Sequence, residues 1–155
     1  MSRYIHASAL VVGEHGVLVR GASGAGKSRL VLALLALAEE RGLFARLVGD
    51  DRIGLQAAGG RLLARAHPAI SGQIEQRGIG ILVLPCEPAA VVTLVVDLAA
   101  ETAPGLRLPD DNPAIIVLKN ARVCRLLLPR PSSARDAAET VLAALRPMAL
   151  TIPPE

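Results

Sequence analysis

The chain has 155 residues, 52% apolar and 20% charged, which excludes a disordered chain and allows one domain with a substantial core. Mean hydropathy is +0.44, yet apolar runs such as "LVLALLALA" (30–38) and "PAAVVTLVV" (88–96) stop far short of the roughly 20 residues a spanning helix needs. Net charge is only +3, with 17 Lys and Arg against 14 Asp and Glu. The basic residues are scattered and Tyr4 and Phe44 are the only aromatics, so a nucleic-acid surface is not expected.

In chain order, "YIHASALVV" (4–12) predicts a first strand, "GEHG" a turn and "VLVRG" (17–21) a second strand, together a hairpin. "GASGAGKS" (21–28) follows, then an apolar helix over about 27–41 closed by Gly42. This helix is apolar nearly all round and is expected to be buried on more than one side. "LFARLVG" (43–49) reads as a strand running into Asp50 and Asp51, and "RIGLQAAGGRLLARA" as a hairpin about Gly59-Gly60. "HPAISGQIEQRGIG" (67–80) reads as irregular or a short helix. "ILVLP" (81–85) and "AVVTLVVDL" (90–98) read as buried strands. A Pro/Gly/Asp-rich loop (101–113) precedes two strands that turn at 119–121. The last helix covers 132–146 with Ser132 or Ser133 as N-cap, and "PMALTIPPE" reads as a fraying tail or at best a short strand. Regular strand–helix alternation is missing. The expected fold is α/β with a mixed, largely antiparallel sheet and few helices.

"GASGAGKS" fits G-x-x-x-x-G-K-[ST], the phosphate-binding loop. Its residues Gly21, Ala22, Ser23, Gly24, Ala25 and Gly26 let backbone N–H groups converge on phosphate oxygens. Lys27 reaches the outer phosphates, Ser28 can ligate Mg²⁺, and the following helix presents its N-terminus to the anion. Asp50 and Asp51 end an extended segment, where adjacent side chains point to opposite sides, so only one can aim straight at the site unless the strand ends there. One is expected to hold Mg²⁺, directly or through water, and the other to accept a hydroxyl proton. In "IEQRGIG" (74–80), Glu75 can complete a metal site and Arg77 can offset charge on a transferring phosphoryl group; a surface ion pair beside a turn is the competing reading. His6 in the first strand is a structural residue or a phosphate contact, and Arg107 in the loop is a phosphate contact or solvated. His15 and His67 read as turn residues. Cys86 and Cys124 have no metal-like spacing and are expected to be reduced and partly buried.

His6, fifteen residues before the loop, "GASGAGKS", "LVGDDR" and "IEQRGIGIL" occur here in that order. Together they resemble the catalytic domain of bacterial HPr kinase/phosphorylase, whose signature is Glu-x-Arg-Gly-x-Gly. The resemblance runs from "IHASALVV" to the final helix. It implies a P-loop domain akin to phosphoenolpyruvate carboxykinase, here over 1–147 with 148–155 as a tail. It implies ATP-dependent phosphorylation of a serine on HPr, the small phosphocarrier of the sugar phosphotransferase system, and the reverse phosphorolysis by inorganic phosphate. By position it gives ATP to the loop and Lys27, and Mg²⁺ to Ser28 and Glu75 with Asp50 beside them. It makes Asp51 the group that takes the serine proton, and it places His6, Arg77 and Arg107 at the active site. It further implies a cytoplasmic homo-oligomer, a hexamer, in a short form of the α-proteobacterial kind that begins at the catalytic domain. Where the family has a Gly-rich, Arg-containing segment, "LPRPSSARDAAET" stands here, with Arg130 and Arg135 as its arginines. Two other readings use the same loop. A small-molecule kinase would phosphorylate a metabolite without a carrier protein, and a non-catalytic ATP sensor would bind nucleotide without turnover.

Overall fold

The computed structural model describes residues 4–99, 113–129 and 133–151. β1 (Tyr4–Ile5), β2 (Ala7–Val12) and β3 (His15–Arg20) lead into the Gly-rich loop and α1 (Lys27–Glu40). β4 (Ala45–Gly49) follows. Next come the hairpin β5 (Ile53–Ala58) and β6 (Arg61–Ala66), a single 3-10 turn (Pro68–Ile70), and a second hairpin of β7 (Gln73–Gln76) and β8 (Gly80–Val83). β9 (Ala89–Leu98), β10 (Ala114–Leu118), β11 (Ala121–Leu128) and α2 (Ala134–Thr151) complete the described chain.

One large sheet runs β1-β5-β6-β9-β3-β2-β4, with β11 also on β9 and β10 on β11. Only β3–β9 and β9–β11 are parallel; the other pairs in it are antiparallel. β9 is long enough to serve two neighbours on one edge, β6 along Ala89–Val92 and β11 along Leu94–Leu98. The expected mixed, mostly antiparallel sheet with few helices is therefore present.

Alternation along the strands creates two cores. On one face Leu10, Val17, Val19, Leu94, Val96 and Leu126 pack beneath α1 and α2. On the other, Ala9, Leu18, Ile53, Leu62, Val92 and Val95 form a second core as the sheet curls over itself. Gly49 permits that curl: a Cβ there would lie 2.8 Å from the Cβ of Ala66 on β6 and 2.9 Å from Cδ1 of Ile53. The sheet can close on itself only if residue 49 has no side chain. α1 buries Leu30, Val31, Leu34, Leu37 and Ala38, a stripe at i, i+3, i+4 spacing. Leu32, Ala33 and Leu35 are half-buried against the same core, so burial extends beyond one stripe as expected, while Ala36 is exposed. Arg41 pairs with Glu139 and Arg135 with Glu40 across the two helices.

Several elements differ from the sequence reading. The first strand is broken at His6, which leaves the ladder between β1 on β5 and β2 on β3. His15 is no turn residue: it opens β3, is buried, and its Nδ1 lies 2.8 Å from Thr93 Oγ1. His67 caps the 3-10 turn, its Nδ1 accepting from Ala69 N–H, and its ring packs on Tyr4. The stretch 67–80 holds that turn but also a strand, β7, which the irregular or helical reading missed. "ILVLP" is not a buried strand: Ile81 and Val83 are exposed and only the alternate residues Leu82 and Leu84 touch the core. α2 runs on to Thr151 through Pro147, so residues 147–151 are helical rather than a fraying tail or short strand. Ser133 caps α2 as expected, its Oγ accepting from Asp136 N–H at 3.0 Å. Cys86 and Cys124 are unpaired and half-buried. Among the described residues no helix is long and apolar enough to cross a membrane.

Candidate active site

β3, β9 and β11 run parallel, and β4 runs the same way because β2 is antiparallel to both β3 and β4. Their carboxyl ends therefore share one edge of the sheet, as does the start of β2. The Gly-rich loop leaves β3 at this edge, Asp50 and Asp51 follow β4, and His6 precedes β2. Ligands of α/β sheets gather at such edges because loops leave there and helix N-termini point at them.

The loop turns tightly, with Ala25 N–H donating to Ala22 O at 2.9 Å. Gly26, at the N-terminus of α1, has φ of 102°, a left-handed conformation that a Cβ would strain. Lys27 Nζ donates to the carbonyls of Gly21 (2.9 Å) and Ala22 (3.1 Å), folding back over its own loop. In this position the ammonium holds the ring of the loop closed above the N-terminus of α1.

Asp50 and Asp51 diverge, but not on extended backbone: β4 ends at Gly49 and the two aspartates lie in a tight turn, with Arg52 N–H donating to Asp50 O at 2.8 Å. Asp50 is 6% exposed. Its Oδ1 accepts from Ser8 Oγ at 2.5 Å, and Ser28 Oγ lies 2.9 Å from each of its carboxylate oxygens. Asp51 turns outward with φ of 68°, a conformation that Asp tolerates better than most side chains. Its carboxylate is 67% exposed and lies 3.4 Å from Nδ1 of His6, itself 80% exposed. One carboxylate is thus locked to the loop serine and the other is open to a reactant.

Glu75 and Arg77 lie on the β7–β8 hairpin. Ile74 is buried against α1 residues and Leu82, opposite it, packs on the same core. The alternation then turns Glu75 and Ile81 outward. Among the described residues no hydrogen bond or ion pair joins Glu75 or Arg77 to the loop, Asp50 or Asp51. Arg107 and Arg130 lie outside the described residues. Arg135 does not reach this edge; its guanidinium is spent on Glu40 of α1.

Among the described residues no three acidic, histidine or cysteine groups stand close enough to form a metal cage. The donor set nevertheless suits Mg²⁺, which takes one or two carboxylates and completes its shell with phosphate oxygens and water. Asp50 is a buried carboxylate whose described partners are two hydroxyls and no cation, a state that a hard cation relieves. Ser28 and Asp50 could hold the ion.

Sequence reasoning missed Ser8, the second hydroxyl on Asp50. A small polar residue two positions after His6 in an apolar strand was the available signal. It also missed Asp97, a lone charge in the apolar run of β9. Asp97 accepts from Arg20 and Arg125 beside the loop. A groove of about 430 Å³ lies at the far end of α1 between Leu35, Phe44, Arg46 and Leu84. It is at the opposite edge of the sheet and touches none of these groups.

Fold and site together define a phosphate-loop protein built on a curled mixed sheet, unlike the regularly alternating nucleotide switches. The family model for the HPr serine kinase C-terminal domain matches residues 1–87, and the chain belongs to that family. It is 42% identical over 76 residues to the HPr kinase/phosphorylase of Mycoplasma mycoides, covering 49% of this chain and 22% of that protein. With the HPr kinase/phosphorylase of Clostridium tetani it shares 39% identity over 70 residues, 45% of this chain and 21% of that protein. The chain thus spans about a fifth of the curated relatives it matches. The solved structure of the HPr(Ser) kinase/phosphatase from Coxiella burnetii superposes with a TM-score of 0.77 at 28% identity, over 97% of this chain and 93% of that one.

Proposed function

We propose that this chain is an ATP-dependent, Mg²⁺-requiring kinase that phosphorylates a serine of HPr or an HPr-like phosphocarrier protein, and that it also runs the reverse phosphorolysis. The observation that carries the reading is the division of labour between Asp50, buried on Ser28, and Asp51, exposed beside His6. Family membership supports the substrate class.

The loop N–H groups and the N-terminus of α1 bind the phosphates of ATP. Lys27, now on the Gly21 and Ala22 carbonyls, turns to the outer phosphates. Ser28, Asp50 and Glu75 would hold Mg²⁺, which would supply charge neutralisation at the phosphate oxygens. Asp51 takes the proton of the serine hydroxyl as its oxygen bonds to the γ-phosphorus and the bond to the ADP oxygen breaks. His6 orients the Asp51 carboxylate. Arg77, and Arg107 from the adjoining loop, offset charge on the phosphoryl group. In the reverse direction an oxygen of inorganic phosphate bonds to the phosphorus of the phosphoserine, the bond to the serine oxygen breaks, Asp51 gives that oxygen a proton, and pyrophosphate is released.

Incubation with γ-labelled ATP and the host's HPr-like protein, followed by mapping of the label, tests the reading. A label on serine is expected. A label on histidine, or none, sinks it. Asp51→Asn keeps the left-handed backbone, which Asn also tolerates. It is expected to lose transfer while retaining ATP binding, and transfer at the parent rate would remove Asp51 as the base.

A further inference from the structure

β9 is apolar along most of its length, and Asp97 is its only charged residue. The proposed chemistry does not use it, yet it carries the densest charge cluster at the functional edge. Arg20 donates Nε to Oδ1 at 2.7 Å and Nη2 to Oδ2 at 2.8 Å, a bidentate pair. Arg125 adds Nε to Oδ2 at 2.5 Å from β11. Burial opposes the charge on Asp97, but the two guanidiniums outweigh it and hold the carboxyl below its ordinary range. Three parallel strands are therefore pinned through one carboxylate.

The position of the pin matters. Arg20↔Asp97 is the last registered pair of the β3–β9 ladder. The next residue on β3 is Gly21, the first of the phosphate loop, and the next on β9 is Leu98. A Cβ at Gly21 would lie 3.2 Å from the Cβ of Leu98 and 3.2 Å from that of Ala25. The loop thus rests on the residue beside Asp97, and Lys27 grips the Gly21 carbonyl. Terminal rungs of a ladder fray first, and fraying here would move the N–H groups that must converge on phosphate within about 0.5 Å.

We propose that Asp97 is a positioning residue for the phosphate loop, acting through Arg20, whose bidentate bond fixes the end of β3 from which the loop springs. Arg125 steadies the carboxylate from the other side but does not reach the loop. The inference rests on the reading that this loop binds nucleotide.

ATP affinity, measured by calorimetry with Mg²⁺, and Tm are compared for the parent, Asp97→Asn, Arg20→Gln, their double variant and Arg125→Gln. Asp97→Asn and Arg20→Gln are each expected to weaken ATP binding about five- to tenfold, with the double variant no worse than the poorer single because both remove one coupling. The Asn variant is the sharper test. It removes a negative charge near an anion site, so electrostatics alone would tighten ATP binding. Arg125→Gln is expected to lower Tm with ATP affinity within about twofold of the parent. If the Asn variant does not fold, Arg20→Lys keeps the charge but loses the fork, and an intermediate loss of affinity is expected. Unchanged ATP affinity in folded Asp97→Asn or Arg20→Lys, with only Tm lowered, overturns the inference and leaves a structural ion pair. A parent protein that binds no ATP overturns the nucleotide reading itself, and this inference with it.

Discussion

The corner between the phosphate loop and β4 and the hairpin β7–β8 hold their charged groups in opposite ways. At the corner, Asp50 is buried and already bonded to Ser8 and Ser28. On the hairpin, Glu75 and Arg77 are exposed, and its apolar face, Ile74 and Leu82, ties it to the core. The corner is preorganised: its geometry exists before any ligand arrives, so little ordering cost remains on binding. The first arrangement suits fixed phosphate and metal contacts. The second leaves Glu75 and Arg77 exposed to solvent and, among the described residues, without a bond to the corner.

Breaking the corner should have the largest effect. Asp50→Ala leaves Ser8 and Ser28 without their acceptor and removes a proposed metal ligand. Transfer should fall at least about 100-fold, read as kcat/KM with the HPr-like carrier; a loss under tenfold would place the metal elsewhere. Next comes the anchor of the hairpin. Ile74→Ala should cost about 2–4 kcal/mol and roughly 5–10 °C in Tm, with exchange protection of amides in β7 and β8 falling before that of β9. Equal loss across both would mean the hairpin does not open separately. Glu75→Gln is a milder probe, since the side chain is exposed. A several-fold rise in the Mg²⁺ needed for half-maximal activity is expected with Tm unchanged, and an unaltered Mg²⁺ requirement would leave the metal to Ser28 and Asp50 alone.

The smallest effect belongs to His15, far from both regions. Burial lowers its pKa from 6.5, with Glu14 opposing. Protonation is therefore disfavoured in the folded state. The stability this contributes is fully present above about pH 6.5 and is lost as pH falls through the lower folded value. Tm measured between pH 7 and 5 should drop less in His15→Gln than in the parent. An equal drop would assign the acid sensitivity to other groups.

How far these regions could be read in the sequence follows the same division. The loop is a local motif: its glycines, Lys27 and Ser28 are adjacent in the chain, and so is the helix that completes it. The adjacent acidic pair was legible, but its divergence comes from the turn after β4, where Asp51 has φ of 68°, and not from the two-residue period of a strand. β7 was not legible because "GQIEQRGIG" is polar and short, and it becomes a strand only by pairing with β8 and burying Ile74 under α1. β8 was over-read as buried because β-branched content signals strand, not which faces are covered. α2 was cut short at Pro147, although a proline can lie within a helix whose other face is packed.

The amino-acid sequence by itself determined the phosphate loop, because its residues are neighbours in the chain, and the lack of strand–helix alternation along the chain pointed to the mixed sheet. Only the tertiary structure decided which carboxylate is buried, that Ser8 shares it with Ser28, and that Asp97 ties Arg20 and Arg125 at the foot of the loop. Those contacts join residues 22 to 77 positions apart. They depend on strand register and on the curl at Gly49, and no local pattern encodes either.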